Sequence, residues 1–97
     1  MDGFGQLNKA FDSRVRLGVM SVLMVNDWVL YKELKSNLGL TDGNLASHIS
    51  ALEKISYVEV KKEFVGKKPQ TSYRVTKEGR LAFESHLDGL EKLIKSA

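Results

Sequence analysis

The chain of 97 residues contains no cysteine, one proline and only two histidines. Without cysteine there is neither a disulfide bond nor a thiolate site for a metal, which fits a reducing cytoplasm. No apolar run approaches the roughly 18 residues of a membrane span, and no basic segment leading into an apolar stretch opens the chain. We therefore expect a cytoplasmic protein without a metal or other cofactor, and neither secretion nor membrane insertion.

Signatures of catalysis and of domain boundaries are also missing. The sequence has no Ser/His/Asp arrangement, no paired carboxylates and no phosphate-binding glycine loop, so an enzyme is not expected. No repeat, low-complexity tract or linker divides the chain, and residues 1–97 are predicted to form a single domain. Domains of this size often associate with a second copy, because association buries more apolar surface.

Positive charge is concentrated in one quarter of the chain. The net charge is only +3, yet residues 54–80 hold eight basic and three acidic side chains, a balance of +5 that leaves −2 for the remainder. A small domain with its positive charge in one segment has a directional field, as nucleic-acid-binding surfaces do. Charge alone is equally compatible with a solvated, lysine-rich hairpin.

Apolar residues at helical spacing predict three helices in the first half of the chain. They are expected at about residues 14–25, 31–38 and 42–54, with a short extended piece at 28–30. Asp12 and Ser13 offer an N-cap to the first helix. Gly39 suits a left-handed helix end and Thr41 an N-cap, so the second and third helices are predicted to form a helix-turn-helix.

A β-hairpin and a long helix complete the chain. Val58, Val60 and Phe64 alternate with polar residues as a strand, and a basic turn at residues 65–70 leads into a returning strand at 71–75. Thr76 then caps a last helix that reaches about residue 95. Three helices followed by a two-stranded ribbon form the winged-helix variant of the helix-turn-helix, in which the third helix lies in a major groove and the hairpin, or wing, flanks it.

Several short motifs extend this pattern to a known family. They are Thr41-Asp42-Gly43-Asn44-Leu45-Ala46-Ser47-His48-Ile49, Leu52-Glu53-Lys54, Tyr57-Val58, Gly66-Lys67-Lys68-Pro69-Gln70-Thr71, Tyr73-Arg74-Val75-Thr76 and Glu78-Gly79-Arg80. Together they resemble the small MarR/ArsR-like winged-helix transcriptional regulators over residues 7–94. The resemblance implies a homodimeric DNA-binding regulator. The expected fold is mainly α with a small β-hairpin, comprising a three-helix core, a wing and a C-terminal dimerisation helix at about residues 77–95.

The third helix carries the expected contacts to DNA bases. Leu45, Ile49 and Leu52 fall within roughly 60° on a helical wheel and set its buried direction. Small or hydrogen-bonding side chains lie on or beside the opposite face, and the predicted DNA contacts are Thr41, Gly43, Asn44, Ser47, His48, Ser50 and Lys54. Asparagine can pair with adenine, and serine with a base or a phosphate. The same residue types are also common on an ordinary helix surface, and His86, on the last helix, is predicted to be a surface residue.

The wing is expected to supply the electrostatic contacts. The predicted residues are Lys61, Lys67, Lys68, Gln70 and Arg74, with Pro69 stiffening the tip. Relatives often carry arginine at the positions of Lys67 and Lys68, and arginine or lysine at that of Ser50, so phosphate binding is better supported than base-specific recognition. Ser56 replaces a glycine that is usual before Tyr57, and its turn is expected to be strained if it needs a positive φ.

The last helix carries an apolar seam with a heptad-like spacing of four, three and four. The first turn can fold back on the domain's own core, but beyond His86 a second subunit is expected to cover the seam. The predicted dimer interface consists of Phe4, Leu7, Phe11, Phe83, Leu87, Leu90, Leu93 and Ile94. Such a dimer places two recognition helices roughly 34 Å apart and requires a pseudo-palindromic operator.

Two other functions compete with this hypothesis. A winged helix used for protein interaction would favour an uncharged or acidic wing and an apolar outward face on the third helix, the reverse of this sequence. A regulator gated by an unidentified small molecule could use Trp28, Tyr31 and Phe11 as a pocket at the dimer interface, although aromatic residues at such places are more often core. Without a separate sensing domain, repression by occluding a promoter is the plainest mechanism.

Overall fold

The structure, a computed structural model, describes residues 3–96. Its elements in chain order are two 3-10 turns (Phe4–Gln6 and Lys9–Phe11), α1 (Arg14–Met24), β1 (Val29–Leu30), α2 (Tyr31–Leu38), α3 (Asp42–Lys54), β2 (Val58–Val65), β3 (Lys68–Val75) and α4 (Lys77–Lys95). This mainly helical order is that of the predicted winged helix-turn-helix, and the fold class is confirmed. Within the described residues, no helix is both long and apolar enough to cross a membrane.

Polar caps set the starts of α1, α3 and α4 as predicted. The side chains of Ser13, Thr41 and Thr76 each accept a hydrogen bond from the backbone N–H three residues further along. These N–H groups have no partner inside the helix, so each cap satisfies a donor that folding would otherwise leave unpaired. The beginning of each helix is therefore decided by one local side chain.

The turn between α2 and α3 is as tight as expected. Gly39 adopts a left-handed conformation with φ of 62°, and its N–H and that of Leu40 donate to the last carbonyls of α2. Such a helix end favours glycine, because other residues pay for a Cβ at positive φ. Thr41 follows within two residues and starts α3, which confirms the helix-turn-helix.

A small antiparallel sheet supports the helices. Its strand order is β1-β3-β2, and β1 pairs with only two residues of β3, Tyr73 and Ser72. On β2 and β3, Val58 lies opposite Val75 and Val60 opposite Tyr73, which places the apolar members of both strands on one face. That face packs against the helices, and the hairpin extends beyond them as the wing.

The tip of the wing is shorter than the sequence suggested. Val65 pairs with Lys68, so the turn is only Gly66 and Lys67, with Gly66 at φ of 65°. The prediction of a turn over residues 65–70 is therefore wrong in length, because strand pairing continues through Pro69, which lies opposite Phe64. Pro69 is tolerated there because β1 ends near Ser72 and leaves this part of β3 at an edge.

The core lies between the helices and the apolar face of the sheet. Its fully buried side chains are Phe11, Val19, Met20, Leu23, Leu34, Leu45, Leu52 and, at 2% exposure, Ile49 and Val58. α1 supplies three of them and α3 supplies three, which explains why these two helices pack directly on each other. This burial fixes the opposite side of α3 toward solvent.

Phe11 and Phe83 belong to this core, which corrects their assignment to a dimer interface. Only 1% of Phe11 and 3% of Phe83 is exposed. Their rings meet edge to face with centroids 5.1 Å apart, and Phe11 also stacks on Tyr57 at 5.6 Å. The amino-terminal segment folds back over α4, so the first half of α4 finds its apolar partners within the same chain.

His86 is buried, and its prediction as a surface residue is wrong. Its Nδ1 accepts a hydrogen bond of 3.0 Å from the backbone N–H of Asn8, and its ring packs at 5.2 Å from that of Phe11. The two partners are 78 residues apart in the chain, so no local pattern reports their contact. His86 thus ties the amino-terminal segment to α4.

Ser56 adopts the strained conformation that the sequence suggested. Its φ is 65°, the only positive value of a residue other than glycine among residues 3–96. The N–H of Ser56 and that of Tyr57 donate to the carbonyls of Glu53 and Leu52, which ends α3. This turn directs the chain from α3 into the wing.

Candidate nucleic-acid interface

The outward face of α3 is open to solvent along its length. Gly43, Asn44, Ser47 and Ser50 are exposed, as are Thr41 and Lys54 at the two ends, while Leu45, Ile49 and Leu52 are buried beneath them. The buried residues fall at spacings of four and three, so the exposed ones share the opposite side. The structure therefore brings six of the seven residues predicted on this helix to one surface.

The start of α3 is held in place by α2. Lys35 forms an ion pair of 3.0 Å with Asp42, and the Tyr31 hydroxyl donates to the Asp42 carbonyl over 3.2 Å. Burial, followed by the charge of Asp42, raises the pKa of Tyr31 above its ordinary value, so the phenol stays protonated and remains a donor. These contacts position the first turn of α3.

His48 lies beside the outward face rather than on it. It is half-buried, and its Nδ1 accepts a hydrogen bond of 3.1 Å from Nε of Arg16 on α1. The imidazole is thus partly packed against α1. The remaining ring nitrogen, Nε2, is the atom left to meet a ligand.

The wing has two faces with different surroundings. Lys62 has the same strand parity as the buried Val58 and the half-buried Val60, and it faces α2 and α3. Lys61 has the opposite parity, and its Nζ lies 4.5 Å from the ring centroid of Trp28 on the other side of the sheet. The structure thus corrects the placement of Lys61: Lys62, which was not predicted, is the β2 lysine beside the helices.

Arg74, which was predicted as a phosphate contact, is engaged by residues of its own chain. Its Nε donates to Glu59, which lies opposite it on β2, and its Nη1 is 3.6 Å from Asp27. The guanidinium stacks 4.4 Å above the Trp28 ring, and the hydrogen bond to Glu59 holds the pKa of Arg74 above its usual value. Arg74 therefore braces the far face of the sheet.

Lys67, Lys68 and Gln70 lie at and next to the tip of the wing. Lys67 is exposed in the turn itself, and Lys68 and Gln70 begin β3 with the strand parity of Arg74, opposite to that of Lys62. Among residues 3–96, neither lysine has an ionic partner within 4 Å. Their positive charge is available to an anionic ligand.

A cleft of about 520 Å³ separates this inner side of the wing from the helices. We call it the wing cleft; its principal walls are Tyr31 and Lys32 of α2, Ala46 of α3, and Lys62, Lys68 and Gln70 of the wing. Within the described part of the chain, no acidic side chain lines it. Lys32 and Lys62 were missed from the sequence, although the two-residue period of β2 would have indicated Lys62.

The apolar seam of α4 is exposed beyond the core. Leu87, Leu90 and Ile94 are open to solvent together with Phe4, and Leu7 and Leu93 are half-buried. Phe4 reaches α4 because Gly3 and Gly89 meet closely: a Cβ on Gly89 would lie 2.6 Å from the Gly3 carbonyl oxygen. Of the eight residues predicted for a dimer interface, Leu87, Leu90 and Ile94 therefore share one exposed face of α4, and Phe4 is exposed on the segment that packs against this helix.

The three aromatic residues considered for a ligand pocket are separated. Phe11 lies in the core, Trp28 lies against Lys61 and Arg74, and Tyr31 lines the wing cleft. They do not line a common pocket, because β1 turns Trp28 to the far face of the sheet.

Comparison with known proteins gives a family and a relative. A family model described as a winged helix DNA-binding domain matches residues 15–94. An uncharacterised protein of Methanocaldococcus jannaschii is 34% identical over 88 residues, which span 91% of this chain and 96% of that protein. The likeness therefore covers nearly the full length of both.

Solved structures agree with this likeness. A transcriptional regulator homologue from Pyrococcus horikoshii OT3 is 28% identical with a TM-score of 0.79, and the match covers 96% of this chain and 97% of the other. A protein of Bacillus cereus ATCC 10987 described as a MarR-like transcription regulator is 23% identical with a TM-score of 0.72, covering 97% of this chain and 70% of the other. The fold expected from the sequence motifs is confirmed by these similarities.

Proposed function

Because the chain belongs to the winged helix DNA-binding domain family, we propose that it is a sequence-specific, homodimeric regulator of transcription that binds double-stranded DNA. In this proposal α3 enters the major groove and the wing lies along the flanking backbone or minor groove. The role is binding rather than catalysis, and its place is the cytoplasm.

The observation that carries the proposal is the surface shared by α3 and the wing. The exposed row of Gly43, Asn44, Ser47 and Ser50 continues into the unpaired lysines of the wing tip and wing cleft. Side chains of the first kind suit base edges, and those of the second kind suit phosphates. A surface that combines both is what a duplex requires, since phosphates position the protein and bases specify the sequence.

The exposed seam of α4 supports the homodimer. Ile94 and Phe4 are 75% and 67% exposed although both are large and apolar. Such a patch, next to a helix that already leaves the core, favours a second copy related by a two-fold axis. Two copies would present two α3 helices to successive major grooves about 34 Å apart, and so would select an inverted repeat.

The proposed regulator represses transcription. A dimer without a separate sensing domain acts most simply by covering a promoter and excluding the transcription machinery. The competing hypothesis, a protein-interaction module, would leave the lysines of the wing without an assigned partner. The charge of the wing therefore favours DNA.

Selection from a random duplex pool, at two salt concentrations, tests the proposal. We expect enrichment of an inverted repeat and weaker binding at higher salt. Asn44→Ala should then relax the preference at one position of each half-site, whereas Asn37→Ala, an exposed asparagine on α2, should not. Binding without enrichment would contradict sequence specificity, and absence of binding would favour the protein-interaction module.

A further inference from the structure

We propose that the wing cleft seats the sugar–phosphate backbone of the bound duplex and that Lys62 of β2 and Lys32 of α2 contact its phosphates. The proposal rests on the DNA-binding function above and adds to it the path of one strand across the protein. This DNA strand would run between α3 and the wing, and not only past the wing tip.

The first support is the difference between two neighbouring lysines. Lys61 and Lys62 are consecutive on β2, and a strand directs consecutive side chains to opposite faces. Lys62 lines the wing cleft, whereas the Nζ of Lys61 lies 4.5 Å from the centroid of Trp28 on the far face. The sheet thus places two lysine side chains on opposite faces, and only Lys62 can contact a DNA strand in the wing cleft.

The second support is the charge of the wing cleft. Lys32 of α2 and Lys62 of β2 line the cleft, and among residues 3–96 neither of them forms an ion pair. The carboxylate of Asp42, at the start of α3, already pairs with Lys35. Two lysines without an ion pair on the walls of one cleft, with no acidic residue among the described residues that line it, are complementary to a polyanion.

The third support is the position of the cleft beside α3. Its wall on that side is Ala46, which is exposed and directly precedes Ser47 of the outward face. A major groove is bordered by a backbone on each side, so a strand bordering the groove that holds α3 would lie over Ala46. The small side chain of Ala46 leaves room for this DNA strand, and Lys32 and Lys62 contact it from the other walls of the cleft.

Salt-dependent binding of three single variants tests this path. Lys62→Ala and Lys32→Ala should each lower the slope of log K against log salt by about 0.9 and weaken binding roughly fivefold to tenfold at 0.1 M salt. Lys61→Ala is the matched control, because it removes the same charge from the adjacent position, and it should leave the slope within error of wild type. Thermal melting of all three variants verifies that the fold is retained.

The outcomes separate this proposal from the function on which it rests. If wild type binds duplexes but Lys62→Ala and Lys32→Ala behave like Lys61→Ala, the path through the cleft is wrong and the DNA-binding function stands. An equal loss in all three variants also overturns it, since the effect would then follow net charge alone. If wild type binds no duplex, the proposed function itself fails.

Neutral phosphate substitution supplies an independent measurement. Duplexes with a methylphosphonate at one backbone position remove a single charge without removing the nucleotide. At the phosphate seated in the cleft, this substitution and Lys62→Ala should weaken binding no more together than either does alone. Additive losses at every position scanned would exclude a direct contact.

Discussion

Arg16 donates a hydrogen bond from its Nε to Nδ1 of His48 over 3.1 Å, and so joins α1 to the edge of the outward face of α3. Nη1 of the same guanidinium lies 3.4 Å from the carbonyl oxygen of Ala10, which fixes its direction. An arginine can only donate, so Nδ1 is the acceptor and the proton of the neutral imidazole resides on Nε2. His48 therefore presents an N–H donor to a ligand at this edge.

Arg16→Ala should weaken DNA binding by removing this orientation. The loss of one hydrogen bond to a charged donor corresponds to about 1.5 kcal/mol, or roughly tenfold in affinity. In a double-mutant cycle with His48→Ala, we expect the two losses to be strongly non-additive, because both break the same bond. The cycle is completed by measuring the affinities of wild type, both single variants and the double variant for a duplex obtained by the selection described above. Full additivity would show that Arg16 acts through its charge alone.

Replacing Lys67 and Lys68 together by alanine should weaken binding to all sequences alike. Both lysines make point-charge contacts that carry no base information, so the preferred sequence should not change. The slope of log K against log salt should fall by about 1.8 if each lysine contacts one phosphate. Titrations at several salt concentrations measure it, and an unchanged slope would contradict the assigned role of the wing tip.

The homodimer is tested by its mass. We expect light scattering at low micromolar concentration to give twice the 10.9 kDa of one chain. The double variant Leu87→Glu and Ile94→Glu should be monomeric but folded, because both side chains are exposed in the isolated chain. Val25→Glu, at a side chain 82% exposed outside α4, is the control and should remain dimeric. A monomeric wild type would refute the interface.

Ser56→Gly should stabilise the protein. The serine has φ of 65°, a conformation that costs a residue with a Cβ about 1 kcal/mol relative to glycine. The melting temperature should rise by roughly 4–8 °C. Ser36→Gly, the same change at an exposed position inside α2, should lower it because glycine weakens a helix interior. A rise in both variants would mean that the φ of Ser56 is not the cause.

Gly43→Ala should change stability and DNA binding in opposite directions. No heavy atom lies within 4 Å of the added Cβ, so alanine should stabilise the first turn of α3 by up to about 1 kcal/mol. The same methyl group would stand between the helix start and the DNA backbone, and binding should weaken. Melting and binding are measured on the same samples, with Ser56→Gly as a stabilised variant that should bind normally. Unimpaired binding would show that α3 does not begin against the backbone.

The limits of the helices were predictable because each depends on residues that are close in the chain. Ser13, Thr41 and Thr76 cap the helices that follow them, and Gly39 ends α2, as local hydrogen bonding requires. The outward face of α3 followed from the spacing of its buried residues in the same way. The strain at Ser56 was predicted on the condition that its turn needs a positive φ, and the structure meets that condition.

Contacts between distant segments decided the rest. The elements, the family and the basic wing could be predicted from residues close together in the chain, whereas the basic side chains that remain free could be identified only in the folded protein. Arg74 is bound by Glu59 and Asp27, and Lys61 by the ring of Trp28, because β1 joins the sheet beside β3. His86 is buried because the amino terminus returns over α4. Whether a basic side chain is available to a ligand depends on which distant segments meet in the folded chain. The spacing of residues within one segment does not contain that information.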